Sequence, residues 1–516
     1  MSKRATWSSR STFILAAVGS AVGLGNAWRF PGLAAKHGGG TFLLVYLAAM
    51  LILGIPLLMM EIAIGRRMRQ GAPGALRGIN KKFEPIGWAA TSNAFVIATY
   101  YSVVFAWVLF MIVESFKFAG MTGNTEAASK LFLTEIQTTG TTSGFNTIST
   151  SVIIALLVAW GLIYYCIRNG TQSVGKVVKI TVFAPVVCLA IMAAKGITMP
   201  GAMEGVAKFF VPDFSALSNA TLWVDAFGQV FYSMSVMMAI MFAYGSFLDR
   251  KSNIAVDTLI IAFSDMAISV LAGIVMFSTM GGVGMLDSMT SSGVATAFIV
   301  YPQAIVLLTN NGVLNAIFGI IFYLCLVTLA IDSAFSIIEG VSTAIADKFN
   351  LPHKKCTIAT CAVAAIISLI YTTSAGLACL DIVDNWANSF NLLLIGVLEC
   401  IAIGWFFKPS KVLKEINKNT NKFKMPSWWF TASVRFIAPV LLSVLFVWNI
   451  VVLFQGGGVY GAADGYSLAS NIVLGWAVMA LVFVSGFIVK LIVNRQKKKG
   501  FVEQDITWDD CEDKDE

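Results

Sequence analysis

Apolar residues run in long stretches along this chain, separated by short polar connections. Twelve such stretches stand near residues 12–36, 41–65, 87–116, 150–167, 176–194, 223–248, 254–280, 313–345, 356–373, 378–407, 427–454 and 467–493. Each is long enough to cross a hydrocarbon core of roughly 30 Å as an α-helix of ~20 residues. The pattern predicts an all-α polytopic membrane protein of twelve transmembrane helices. The first stretch is no cleaved leader, because it outruns a short apolar region and keeps Arg29 inside it. It is also interrupted: "GSAVGLGNAWRFPG", residues 19–32, places four glycines, Asn26, Arg29 and Pro31 where a spanning helix should be continuous.

Composition sharpens this picture. Of 516 residues, 57% are hydrophobic and 12% charged, with a mean hydropathy of +0.78, outside the range of soluble globular domains. Lys and Arg gather in alternate connections: Arg66, Arg67, Arg69, Arg77, Lys81 and Lys82; then Arg168 and Lys176; Arg250 and Lys251; Lys348, Lys354 and Lys355; and finally Lys408 through Lys424. The connections 281–312, 371–377 and 455–466 hold neither residue. Positive charge collects on the cytoplasmic side, so both termini are expected there, in a multi-pass protein of the cell membrane. The net charge of +8 then reports orientation in the lipid bilayer and no nucleic-acid partner.

Eight cysteines, mostly within spans, show no pairing pattern, and no disulfide is expected. Residues 120–148 read as an external loop, and the tail from Arg495, basic then acidic, as a solvated, mobile segment. "GTQSVGKV" at 170–177 mimics a phosphate-binding loop but has Val177 in place of the magnesium-holding hydroxyl, and it joins two apolar spans. His37 and His353 are the only histidines and fit no zinc motif. No enzyme chemistry is visible, so an ion gradient is the expected energy source for any transport.

A glycine-rich interruption inside a membrane frees carbonyls that can coordinate a cation, while the half-helix after it offers N–H groups to an anion. Packing through the Gly19/Gly23 pair is the plain alternative, but it leaves Asn26 and Arg29 without a reason. "GSAVGLGNAWRFP", followed by "HGGGTF", "GQVFYSMS" and "LAIDS", resembles the neurotransmitter:sodium symporter family, its bacterial members in particular, from Arg4 to about residue 407. The resemblance implies a five-plus-five inverted repeat with broken first and sixth helices. It divides the chain into an N-terminal gate segment 1–11, a first repeat 12–194, an external loop 195–222, a second repeat 223–407, two further spans in 408–494 and a tail 495–516.

Carried over position by position, the resemblance implies two Na⁺ sites built from hard oxygen ligands. One uses Ala21, Asn26, Ser233 and Asp265; the other Gly19, Val22, Leu329, Asp332 and Ser333. The solute would lie among Ala21, Gly23, Leu24, Gly25, Tyr101, Tyr232, Ser233, Ser235 and Ser333, with Ile97, Met238 and Ile337 around its side chain. Gly23 stands where monoamine transporters carry an Asp, which favours a solute bringing its own carboxylate. Arg29 is expected to pair with Asp384 on the outer side, over Tyr101 and Tyr232, and Arg4, beside Trp7, with Asp347 on the inner side. Glu61 matches a buried glutamate that supports the sixth helix. Tyr46, Gln229, Ser233 and Ser269 match a chloride site, yet Asp265, where relatives carry Asn, supplies the negative charge, so chloride is not expected to be required.

Two departures stand out. The segment "SVMMA", 235–239, has no glycine or proline to break the sixth helix, and Met237 is expected to crowd the solute position. Asp265 could also stand in for a missing solute carboxylate. The leading expectation is therefore a sodium-coupled symporter of a small hydrophobic amino acid working by alternating access as a monomer or weak dimer. The alternatives are a transporter of an amine or other carboxylate-free solute, and a non-transporting ligand sensor.

Overall fold

A computed structural model of the chain describes residues 5–145, 147–419, 423–503 and 505–511. Arg4, Lys422 and the acidic end 512–516 lie outside these residues. Ten continuous helices, from Gly40–Met68 to Leu468–Lys497, are long and apolar enough to cross a membrane. Two broken ones complete a set of twelve. The first span consists of Arg10–Ala21 and Gly25–Lys36, bent by 52°. The sixth consists of Ala220–Ser233 and Ile240–Ser246. Among the described residues β-structure is confined to two isolated bridges.

The third span, within Lys81–Gly120, is mostly buried and packs along the eighth, Gly312–Phe349. The last two spans are mostly exposed, their apolar faces left for lipid. Connections assigned from sequence as loops carry short helices, Thr125–Glu135 within 120–148 and Ala202–Phe210 within 195–222. Arg66 and Arg67 belong to the last turn of the second span rather than to a loop. Arg66 is fully buried, its Nε donating to Glu415 Oε1 at 2.9 Å and its Nη1 to the Ser252 carbonyl at 2.6 Å.

The basic ends of the spans come together. Ala5 and Thr6 share one cavity with Arg69, Arg168, Arg250, Lys354 and Ile506, so the first described residues and the segment at Ile506 lie at the basic end of the bundle. The tail from Arg495 is anchored at two points, Trp508 and Cys511, which are buried, the Trp508 N–H donating to the Gly78 carbonyl at 2.9 Å, while most of its other described residues are exposed. Its acidic residues meet the surplus of cations at that end, and its tryptophan finds apolar cover.

Candidate functional site

The two breaks face each other at mid-bundle. In the first span, the helix ends as Val22 turns extended, and Asn26 Oδ1 accepts the Gly23 N–H at 2.9 Å. None of Gly19, Gly23 and Gly25 has a positive φ, so these glycines serve close approach rather than an unusual backbone. A Cβ on Gly19 would fall 2.5 Å from Asp332 Oδ2, one on Gly23 2.8 Å from Ser333 Oγ, and one on Gly25 2.5 Å from the Tyr232 ring. The broken helix is thereby pressed against the eighth and sixth spans.

The sixth span breaks without glycine. Ser235, Met237 and Ala239 all take left-handed backbone, at φ of 52°, 66° and 60°. Each such non-glycine residue costs roughly 1–2 kcal/mol, which the surroundings must offset. Glu61 of the second span does part of this, accepting the Met237 N–H at 2.6 Å through Oε1. Ser235 Oγ donates to the Ser20 carbonyl at 2.8 Å, tying one break to the other. Met237 does not crowd the solute position: its left-handed backbone aims the side chain at Gly396 of the tenth span, where its Cγ lies 3.4 Å from a Cβ built on that glycine.

A small cavity of about 30 Å³ lies between the breaks. Its wall contains Ala21, Gly23, Leu24, Gly25, Ile97, Tyr101, Tyr232, Ser233, Ser235, Met238, Ser333 and Ile337, together with Asn26 and Ser20. Ser20 was not singled out from sequence, though a hydroxyl residue between Gly19 and Ala21 at the break was the signal. Its carbonyl accepts from both Ser235 and Ser333. No Asp, Glu, Lys or Arg lines the cavity. The second half of the first span begins at its edge, presenting N–H groups that the helix itself leaves unsatisfied. The Tyr101 hydroxyl is buried without a hydrogen-bond partner.

Behind the cavity wall, oxygens converge on the Asn26 amide. Asn26 Nδ2 lies 2.7 Å from Asp265 Oδ1, 2.7 Å from Ser269 Oγ and 3.0 Å from Ser233 Oγ. Ser233 Oγ in turn sits 2.7 Å from both Asp265 oxygens, and Tyr46 Oη donates to Asp265 Oδ2 at 3.1 Å. Asp265 is therefore central to the group that also includes Tyr46, Ser233 and Ser269, whereas Gln229 turns away to the Gly25 carbonyl. On the other side of the first span, Asp332 is buried and its Oδ1 has no hydrogen-bond donor. The orphaned Oδ1 of a carboxylate whose Oδ2 packs against Gly19 suits a cation, and the flanking Ser333 hydroxyl is a hard donor of the same kind. Val22 and Leu329 are buried too.

At the outer end, the expected Arg29–Asp384 ion pair is not formed. The Arg29 guanidinium lies 5.5 Å from the centroid of the Tyr232 ring, while Asp384 Oδ1 accepts from Asn388 at 2.8 Å. Cation–π contact and a side-chain amide satisfy the two charges separately. At the basic end, Trp7 stitches the first span to the second half of the sixth: its Nε1 donates to the Tyr244 carbonyl and its N–H to that of Phe247, both at 3.1 Å. Asp347 Oδ2 accepts the Gly71 N–H at 2.7 Å, and its expected partner Arg4 lies outside the described residues.

Two interrupted helices meeting mid-bundle around buried carboxylates and a cavity without charged side chains define an ion-coupled secondary transporter. The chain belongs to the sodium:neurotransmitter symporter family, whose model matches residues 4–124 and 118–496. It is 34% identical over 505 residues to an uncharacterised sodium-dependent transporter of Methanocaldococcus jannaschii, covering 96% of this chain and 98% of the relative. It is 28% identical to the sodium-dependent neutral amino acid transporter B(0)AT3 of Rattus norvegicus, covering 89% and 86% of the two chains. It is 29% identical to the sodium- and chloride-dependent creatine transporter 1 of Oryctolagus cuniculus, covering 87% and 77%. Among solved structures, MhsT in complex with L-phenylalanine matches with a TM-score of 0.72 at 29% identity, covering 86% of this chain and 99% of that one. The protein is thus a multi-pass, sodium-dependent symporter of small solutes and not an enzyme.

Proposed function

We propose that this symporter carries a small hydrophobic amino acid, coupled to Na⁺ at two sites, by alternating access with its basic end in the cytoplasm. The carrying observation is a cavity wall without a charged side chain. A zwitterion in such a site needs its carboxylate met by helix N–H groups, Tyr101 and a neighbouring Na⁺, and its ammonium by carbonyls of the two breaks. An amine without a carboxylate would need a wall carboxylate, and Asp265 stays behind Asn26 and Ser233. Ile97, Met238 and Ile337 then receive an apolar side chain, Met238 supplying adaptability.

Asp265 would hold one Na⁺ with Asn26, Ser233 and Ala21; Asp332 and Ser333 would hold the other with the carbonyls of Gly19, Val22 and Leu329. The fixed charge of Asp265 in the group of Tyr46, Ser233 and Ser269 leaves no electrostatic need for chloride. The test is uptake by proteoliposomes under an inward Na⁺ gradient. Hydrophobic amino acids should accumulate only with Na⁺, and Asp332→Ala should weaken the Na⁺ response by at least ~10-fold, the factor that ~1.4 kcal/mol gives. Uptake of amines alone, or an unchanged Na⁺ response in Asp332→Ala, would overturn the reading.

A further inference from the structure

Beyond the twelfth span the chain turns at Gly500 and runs back beneath the basic end of the bundle. Glu503 meets Arg77 Nη1 at 3.1 Å and Lys497 Nζ at 2.5 Å, and it also pairs with Lys348, which in turn pairs with Glu84. Asp505 reaches Lys81 at 2.5 Å, and Asp509 reaches Lys411 at 2.7 Å. Between these ion pairs, Trp508 is held on three sides. Its N–H is bonded to Gly78, its carbonyl accepts from Arg67 Nη2 at 3.1 Å, and its ring lies 5.3 Å from the Arg67 guanidinium and 5.3 Å, edge to face, from Phe407. Gly78 is required there, since a Cβ would fall 2.7 Å from the Ile506 carbonyl.

These anchors belong to elements that are separate in the bundle. Arg67 ends the second span, Arg77 and Gly78 lie on the linking helix Ala72–Ile79, Lys81 and Glu84 begin the third, and Lys348 ends the eighth. Ile506 lines the same cavity as Ala5 and Thr6, next to the Trp7–Tyr244 closure. We propose that residues 501–503 and 505–511 form a strap that ties the second span to the third and eighth and so holds the inner end of the pathway shut, its release favouring the inward-open form. The proposal rests on the alternating-access reading above. The second span packs closely along the second half of the broken sixth helix, so an inner opening that moved this pair away from the third and eighth spans would be opposed by a segment bound to both sides, through its differential contact with the closed form.

Hydrogen exchange of the full chain in lipid nanodiscs tests this, with and without Na⁺, against Trp508→Ala and a chain ending at Lys499. Release should make peptides covering residues 7–21 and Ile240–Ser246 exchange at least about fivefold faster, the lower end of ordinary coupling between sites. The strap is overturned if the 501–511 peptide of Trp508→Ala exchanges freely while those inner peptides stay at the wild-type rate. If Trp508→Ala leaves the segment protected or fails to fold, the shortened chain decides by the same criterion. A wild-type chain whose exchange ignores Na⁺ altogether would instead sink the transport reading, a result distinct from an unresponsive inner end.

Discussion

At the scale of single residues, function hangs on small atoms in tight places. Gly19→Ala sets a methyl where Asp332 Oδ2 already stands, 2.5 Å away. The variant is expected to fold and to need at least ~10-fold more Na⁺ for half-maximal uptake, since helix and carboxylate must separate by ~1 Å or more to admit the methyl. Asp265→Asn removes the fixed charge among Tyr46, Ser233 and Ser269. Wild-type uptake should be the same in chloride and gluconate, whereas the variant should work only in chloride; an equal loss in both media would show that Asp265 has another role. The composition of the cavity wall was legible only through the family resemblance, carried over position by position; the glycines and Asn26 inside an apolar run marked the break alone. The direction of the Met237 side chain was not, because a left-handed φ at a non-glycine residue leaves no mark in the residue type. The Arg29–Asp384 distance was not legible either, since pairing depends on which of several neighbours meets each charge first.

At the scale of elements, the two interrupted helices break for different reasons. The first announces its interruption with glycines and Asn26; the sixth is bent by contacts from other spans, so "SVMMA" carried no breaker to read. Ala239→Gly offers a check. Inside a helix this change costs about 1 kcal/mol, but at a left-handed residue it relieves a comparable penalty, so the melting temperature should hold or rise. A clear fall would mean that Ala239 is not held left-handed. The terminal strap was hidden for a related reason: a charge run reads as solvated unless the complementary run, far away in sequence, is brought beside it. Burial alone would raise the Glu503 carboxyl, but hydrogen bonds from Lys348 and Lys497, with Arg77 nearby, outweigh it and hold the group below its ordinary value of 4.5. A depressed carboxylate contributes stability above the ordinary value and loses it as pH falls through the depressed one. The protection of residues 501–503 and 505–511, taken relative to the intrinsic exchange rate at each pH, should therefore be constant around neutrality and fall only on acidification below about 4.5, and sooner at high salt, which screens the half-exposed partners.

At the scale of the molecule, the twelve spans, their order and the interruption of the first were all readable, because lipid demands long apolar helices and penalises every exception. How the spans lean on one another was not, as most are apolar on every side. The proposed cation site and the cavity share the Gly19–Asn26 break, which on that proposal implies thermodynamic coupling between their occupants. Na⁺ should lower the concentration of amino acid needed for half-maximal thermal stabilisation by about fivefold or more, and the amino acid should do the same for Na⁺ by an equal factor. Independent, additive shifts would show that the two do not share the break.

Left-handed Ser235, Met237 and Ala239 alternate with residues of ordinary φ, and the Met237 N–H at the middle of this turn donates to Glu61 Oε1 at 2.6 Å. The second span thus acts as a mould: the shape of the sixth is imposed on the chain by a distant carboxylate. Glu61→Leu, which removes the acceptor for the Met237 N–H, should let the segment relax toward a straighter helix and abolish solute uptake, even though Glu61 does not line the cavity.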